Sequence, residues 1–106
     1  INDEEFVDKF INNTITLNKN YGRYALLNKL IKFGISKSLA NEKLSKLLTD
    51  NDEYETALSA AKKKLLNLKR YDESKKIQRL ISFLSGRGYN WDIIKKVLSE
   101  LKINYE

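Results

Sequence analysis

Phe83-Leu84-Ser85-Gly86-Arg87-Gly88-Tyr89-Asn90-Trp91-Asp92-Ile93-Ile94 decides the fold, because its pattern occurs twice in the chain. Gly88 marks a helix stop, since glycine enters the left-handed C-terminal conformation without a Cβ penalty. Tyr89 then packs back as an apolar staple, and Asn90 caps the next helix. Fifty-four residues earlier, Gly34-Ile35-Ser36 has the same order of stop, staple and cap. At that offset Leu26, Leu27 and Leu30 match Leu80, Ile81 and Leu84, and Leu39, Leu44 and Leu47 match Ile93, Leu98 and Leu101. The phase does not slip across the turn, which is the mark of an internal repeat.

Working outward, apolar residues recur at helical spacing along the chain. The first helix is expected over 3–15, with Asn2 as N-cap, Asp3, Glu4 and Glu5 in a first turn that favours acids, and Phe6, Val7, Phe10, Ile11 and Thr14 on one face. A connector over 17–21 leads to a second helix over 22–33 with Leu26, Leu27, Leu30 and Ile31 inward. Ser36 opens a third helix that ends near 48. The polar residues 49–52 read as a hinge. Helices over 52–68 and 72–87, and a sixth opening at Trp91, complete a second set. The expected fold is all-α: two tandem three-helix repeats, 1–48 and 49–106, slightly elongated and curved. A unit of this size is small for independent stability, so stacking on its neighbour should bury its open face.

Histidine and cysteine are both absent. That removes the usual zinc sites, cysteine nucleophiles, Ser-His catalysis and disulfides. No spaced acidic loop like an EF-hand is present. The acids Asp50, Asp52, Glu53 and Glu55 sit at a helix start, where they are expected without any chemistry. No catalytic residue, cofactor or metal is therefore expected. No apolar run approaches the roughly 20 residues of a membrane span. A thiol-free chain fits the cytosol, and a start at Ile1 reads as a piece of something longer.

Charge is unevenly spread. Between Lys62 and Arg87 nine basic residues face only Asp72 and Glu73, so this stretch carries +7 and the rest of the chain is close to neutral. A polyanion or an acidic protein surface is the partner such a patch suits. The helical spacing of Lys76, Arg79, Phe83 and Arg87 sets them on one face, away from the core stripe. Lys62 and Lys69 form an outward pair on the preceding helix, and Lys75 and Arg70 adjoin. These seven cations, Lys62, Lys69, Arg70, Lys75, Lys76, Arg79 and Arg87, are the expected interaction face. Phe83 reads as packing, and Tyr89 and Trp91 read as staple or core residues.

Two sets of motifs resemble the RecX family. The first comprises Asp3-Glu4-Glu5-Phe6, then Tyr21-Gly22-Arg23-Tyr24-Ala25-Leu26-Leu27-Asn28-Lys29-Leu30, then Phe33-Gly34-Ile35, and is similar to the family's middle repeat. The second, with its Phe-Leu-x-x-Arg-Gly-Tyr turn at 83–89, is similar to the last repeat. The resemblance covers nearly the whole chain. It departs in lacking an N-terminal repeat and in diluting the basic middle repeat with Asn12, Asn13, Asn18, Asn20 and Asn28. It implies a cytoplasmic, monomeric modulator of the recombinase RecA, active in DNA repair and the SOS response. Such a protein lodges on the RecA filament on single-stranded DNA and restrains ATP hydrolysis and strand exchange. The basic face read from the residues would assist, on single- or double-stranded DNA or on acidic filament walls.

Two other functions fit a three-helix unit. One is direct DNA binding of helix-turn-helix type. Against it, the third helix offers only Lys37, Ser38 and Asn41 near its start, and the sixth Asp92, Lys95 and Lys96, not the Arg/Asn/Gln cluster that base readout wants. The other is a structural repeat that joins domains of a longer chain.

Overall fold

The computed structural model describes residues 3–17 and 20–103. Six helices follow one another: α1 Asp3–Thr16, α2 Arg23–Lys32, α3 Lys37–Leu47, α4 Asp50–Leu66, α5 Glu73–Gly86 and α6 Trp91–Glu100. The described residues contain no strand. Asn2, expected to cap α1, and Asn18 of the first connector lie outside the described residues.

Each set of three helices closes its own core. α3 packs on α1 and α2, and together they bury Val7, Ile11, Leu26, Leu30, Ala40 and Leu44. α4 packs on α5 and α6 around Ala57, Ala61, Leu80, Leu84, Val97 and Leu98. Alanines at 57, 60 and 61 let α6 approach α4 closely, while α6 supplies the bulk with Ile93, Ile94, Val97 and Leu98. The molecule is elongated, with extents of 51 × 21 × 20 Å.

The two helix-ending turns match bond for bond. Gly34 has φ +90° and Gly88 φ +93°. The Gly34 N–H donates to the Ile31 carbonyl and the Ile35 N–H to that of Leu30; Gly88 to Ser85 and Tyr89 to Leu84 repeat this at the same offset. This double closure satisfies carbonyls that the helix end would otherwise orphan. Ser36 and Asn90 then accept from the Leu39 and Ile93 N–H groups, as N-caps do.

Several expectations are corrected. The 49–52 hinge is not a hinge. Thr49 caps α4, Asp52 bonds back to the Thr49 N–H, and this capping box makes Asp50–Asp52 the first turn of the helix. Ile31 is 42 % exposed, because the buried stripe of α2 is only Leu26 and Leu30; the residue matching Ile31 at the repeat offset is the exposed Ser85. Phe6 is also exposed; it joins Phe33 and the half-buried Phe10, which packs against the first core, in an edge-and-face ring cluster at the surface. Trp91 is exposed at the start of α6, whereas Tyr89 is buried as a staple should be.

The sets meet end to end. α2 has Gly22 as N-cap, which offers no side chain to the orphan N–H groups of the first turn. Partners come instead from the other set. The Gly22 N–H donates to the Arg87 carbonyl at 2.8 Å, the Tyr24 N–H to the Gly88 carbonyl at 3.2 Å, and the Arg23 N–H to Glu53 Oε2 at 2.9 Å. The positive end of α2 thus abuts the negative end of α5 and a carboxylate, an arrangement the helix dipoles favour. Glu53 is the one charged residue buried among the described residues. It also takes the Arg23 Nε at 3.3 Å, while the guanidinium reaches the Leu48 carbonyl at 2.9 Å. Reading Glu53 as an ordinary helix-start acid missed this, since its partner lies 30 residues away.

Beside the joint, Tyr89 ties the α5–α6 turn to α4 within the second set, its hydroxyl 2.9 Å from Thr56 Oγ1. Burial pushes its pKa up to about 12, with the Glu53 charge adding and the Thr56 bond and Arg87 opposing. The fold therefore prefers the neutral phenol. The resulting stability is complete below the ordinary value of 10.0 and is lost as pH rises through about 12. Tyr89→Phe is expected to flatten the fall of Tm across that alkaline window in circular-dichroism melts. Parallel declines in the two proteins would remove Tyr89 as the source.

Candidate interaction face

Asp72 caps α5 by accepting from the Lys75 N–H at 2.9 Å, and this fixes the phase of the helix. Leu80 and Leu84 then turn inward. Lys75, Gln78, Arg79, Ser82 and Phe83 face a cleft of about 560 Å3, closed on its other side by Lys64 of α4.

Aromatic rings hold the cations on this side in place. Arg79 lies over the Tyr71 ring at 4.3 Å and Arg70 over the same ring at 4.9 Å, with Arg70 also donating to the Tyr71 hydroxyl at 2.8 Å. That hydrogen bond lowers the Tyr71 pKa, burial opposes it, and the charges of Arg70, Arg79 and Lys75 add to the lowering. Lys64 stands 5.2 Å from the Phe83 ring and Arg87 5.4 Å. Arg87 also stands 5.1 Å from the Tyr21 ring, which Lys29 approaches at 4.4 Å. Arg79 links the Tyr71 group to the cleft, Phe83 links the cleft to Arg87, and Arg87 links α5 to the residues before α2. The result is one ridge of alternating cations and rings that crosses the joint between the two sets.

Each cation–ring contact at the surface is worth about 0.5–1 kcal/mol. The larger consequence is order. A guanidinium parked on a ring has less rotamer freedom to lose on meeting a phosphate or carboxylate. None of the ion pairs among the described residues involves Lys29, Lys64, Arg70, Lys75, Arg79 or Arg87. Their charge is left for a partner.

Of the seven cations expected from sequence, Arg70, Lys75, Arg79 and Arg87 lie on this ridge. Lys62 is exposed two residues before Lys64, roughly 200° around α4 from it. Lys69 and Lys76 line a different groove, with Leu65, Leu66 and Ile77, and Lys76 is tied to Glu73 at 3.3 Å. The single face expected for Lys76, Arg79 and Arg87 is therefore split, because Arg79 folds over Tyr71 while Lys76 reaches back to Glu73. The ridge also takes in Lys29, Lys64, Tyr21 and Tyr71, which the sequence did not single out, and Phe83, expected as packing. The i,i+4 spacings of Lys75–Arg79 and Phe83–Arg87 were the available signal. The contact of Tyr21 with Arg87 had none.

The start of α6 is chemically mixed. Asp50 and Asp92 share a shallow depression with Lys95 and Lys96, a mix that does not suit a recognition helix in a DNA groove. Among the described residues no group of three or more His, Cys, Asp or Glu could hold a metal ion, and no helix is long and apolar enough to cross a membrane.

Comparison with known proteins completes the picture. Residues 51–98 match the family model "RecX, third three-helix domain". Proteins named "Regulatory protein RecX" are similar over nearly the whole chain. That of Clostridioides difficile (strain 630) is 36 % identical over 106 residues, covering 100 % of this chain and 49 % of the relative. That of Clostridium acetobutylicum is 39 % identical over 104 residues, 95 % of this chain and 47 % of the relative. That of Chlorobium limicola is 31 % identical over 101 residues, 95 % and 60 %. The chain thus spans about half the length of the clostridial relatives it matches. No solved structure matches it.

Proposed function

Since this chain belongs to the RecX family, we propose that it is a non-catalytic modulator of the RecA recombinase that acts on the RecA filament on single-stranded DNA. In this reading it restrains ATP hydrolysis and strand exchange, works in the cytoplasm, and acts as a monomer of two units, 1–48 and 49–106. The observation that carries the reading is the cation–ring ridge. It runs across both units, its cations take part in no ion pair among the described residues, and the Arg23–Glu53 joint holds its two halves in fixed register. A polyanionic filament is a partner that a long, rigid, positive edge suits. Arginines on the ridge supply bidentate contacts to phosphate or carboxylate, and Lys29, Lys64 and Lys75 supply less directional charge. Aromatic faces between them can stack on unpaired bases.

The test is ATP hydrolysis by a RecA filament on single-stranded DNA, titrated with this chain. The native chain is expected to inhibit at near-stoichiometric amounts. Reversing Arg70, Arg79 and Arg87 to glutamate together is expected to weaken inhibition by at least about 100-fold, roughly 1 kcal/mol for each lost charge-assisted contact. Helicity should stay nearly unchanged, since all three side chains lie outside the cores, while Tm should fall by several degrees as four ring contacts of about 0.5–1 kcal/mol each are lost; potency is therefore compared at a temperature where both proteins are folded. Unaltered potency in the triple variant would remove the ridge. No inhibition by the native chain, with DNA binding that weakens steeply in salt, would turn the reading towards a plain DNA-binding module.

A further inference from the structure

The groove that takes Lys69 and Lys76 away from the ridge has a chemistry of its own. It holds about 620 Å3 between the end of α4, the first turns of α5 and the end of α6. Its floor is apolar, with Leu65, Leu66 and Ile77 from α4 and α5 and Leu101 and Ile103 from the chain end. Leu66 is 65 % exposed at the C-terminus of α4. Among the described residues that line it, three ammonium groups, Lys69, Lys76 and Lys102, stand on the rim against one carboxylate, Glu73, which already pairs with Lys76.

One exposed leucine needs no explanation. An apolar trough with a cationic rim does, because two kinds of ligand group are wanted side by side. The floor releases water only to apolar side chains. The rim is left uncompensated by a neutral ligand, since ammonium groups brought near an apolar surface lose hydration. Nucleic acid would satisfy the lysines, but its bases stack on aromatic rings, and none of the described residues lining this groove is aromatic. A neutral amphipathic helix would fill the floor and strand the charges. A protein segment with large apolar residues on one face and Asp or Glu beside them satisfies both. Helical segments of this kind present anchors at i, i+3, i+4 and i+7 to grooves of this sort. We propose that the α4–α5–α6 groove docks an acidic amphipathic segment of a partner protein. This site lies apart from the ridge and stands whether or not the ridge binds a polyanion.

The probe is a fluorescein-labelled helical peptide with leucines at i, i+3, i+4 and i+7 and glutamates at the flanking positions. A control peptide carries lysine for every glutamate. Fluorescence anisotropy against the intact chain is expected to show binding of the acidic peptide and none of the basic one. Leu66→Glu and Lys69→Glu should each weaken acidic-peptide binding by about tenfold or more, as loss of one anchor or one charge does. Arg79→Glu, on the ridge, should leave it unchanged. Lys102→Glu is a further variant on exposed surface, so the groove remains testable if Leu66→Glu loses helicity in far-ultraviolet circular dichroism. Equal binding of the two peptides, or native affinity in both Lys69→Glu and Lys102→Glu, overturns the proposal. So would concentration-dependent dimerisation of the free chain in sedimentation that Leu66→Glu abolishes, because a second copy would then be the occupant.

Discussion

Gly88→Ala is expected to destabilise the protein by about 3 kcal/mol, and Gly34→Ala by about 1 kcal/mol, although both glycines hold the same conformation. Their φ values are +93° and +90°. An L-residue in that region costs about 1 kcal/mol at either position. The neighbours differ. A Cβ at Gly34 meets nothing within 4 Å. A Cβ at Gly88 would lie 2.4 Å from the Ala25 nitrogen and 2.6 Å from its Cβ. Relieving that overlap means moving α2 off the α5–α6 turn, and overpacking of this kind adds about 1–3 kcal/mol. Gly22 is the other half of the contact. Its φ is −83°, so alanine there is unstrained, but the new Cβ would stand 2.5 Å from the Gly88 carbonyl. Gly22→Ala should therefore cost more than Gly34→Ala despite its ordinary backbone. Urea unfolding of the three variants measures all of this. Equal losses at 34 and 88 would mean that the two sets do not lock through these glycines.

The second large effect is at the buried ion pair. Arg23→Ala should cost about 3 kcal/mol, because Glu53 would remain at 1 % exposure with its main counter-charge gone. This is the low end of the usual range for breaking a buried pair. The Arg23 side chain is 28 % exposed, so water screens part of the interaction, and the Arg23 N–H still reaches Oε2 in the variant. Glu53→Gln should cost less, since an amide oxygen can still accept from the Arg23 backbone and leaves no buried charge. The double variant Arg23→Ala with Glu53→Gln should then be more stable than Arg23→Ala alone. Strict additivity in that cycle would show that the pair is not coupled. The pair also bears on function. It holds α2 against α4, and with it Tyr21, which carries Lys29, against Arg87; under the proposed function, Arg23→Ala should therefore weaken inhibition in the filament ATP-hydrolysis titration even though Arg23 itself is not on the ridge.

Much of the architecture was readable along the chain. Gly34 and Gly88, their staples and their caps announce the two turns, and the common offset of the leucines announces two related sets. These signals are local: each rests on hydrogen bonds and side-chain neighbours within about five residues, where helix geometry makes spacing equivalent to position. The exposure of Ile31 was legible too, in Ser85 at the matching place. The acids at 50–53 were harder. Thr49 and Asp52 form a local capping box, but Glu53 looks the same in sequence and is buried for a reason 30 residues away.

The seven expected cations divide along the same line. Composition and spacing place a positive surface on α4 and α5, and no more than that. Whether a long side chain leans one way or another depends on which ring or carboxylate is within reach, and that depends on tertiary neighbours. Arg79 finds Tyr71 before its helix and Arg87 finds Tyr21 across the joint; the Lys76–Glu73 pair, at i,i+3 on α5, is the one such choice that spacing alone allows. Helices, turns and the repeat came from the order of residues alone, because backbone hydrogen bonding and apolar periodicity act over one or two turns. The joint, the ridge and the separate groove came only from the packed structure, because close approach of Gly22 to Gly88 brings together groups that no local rule relates.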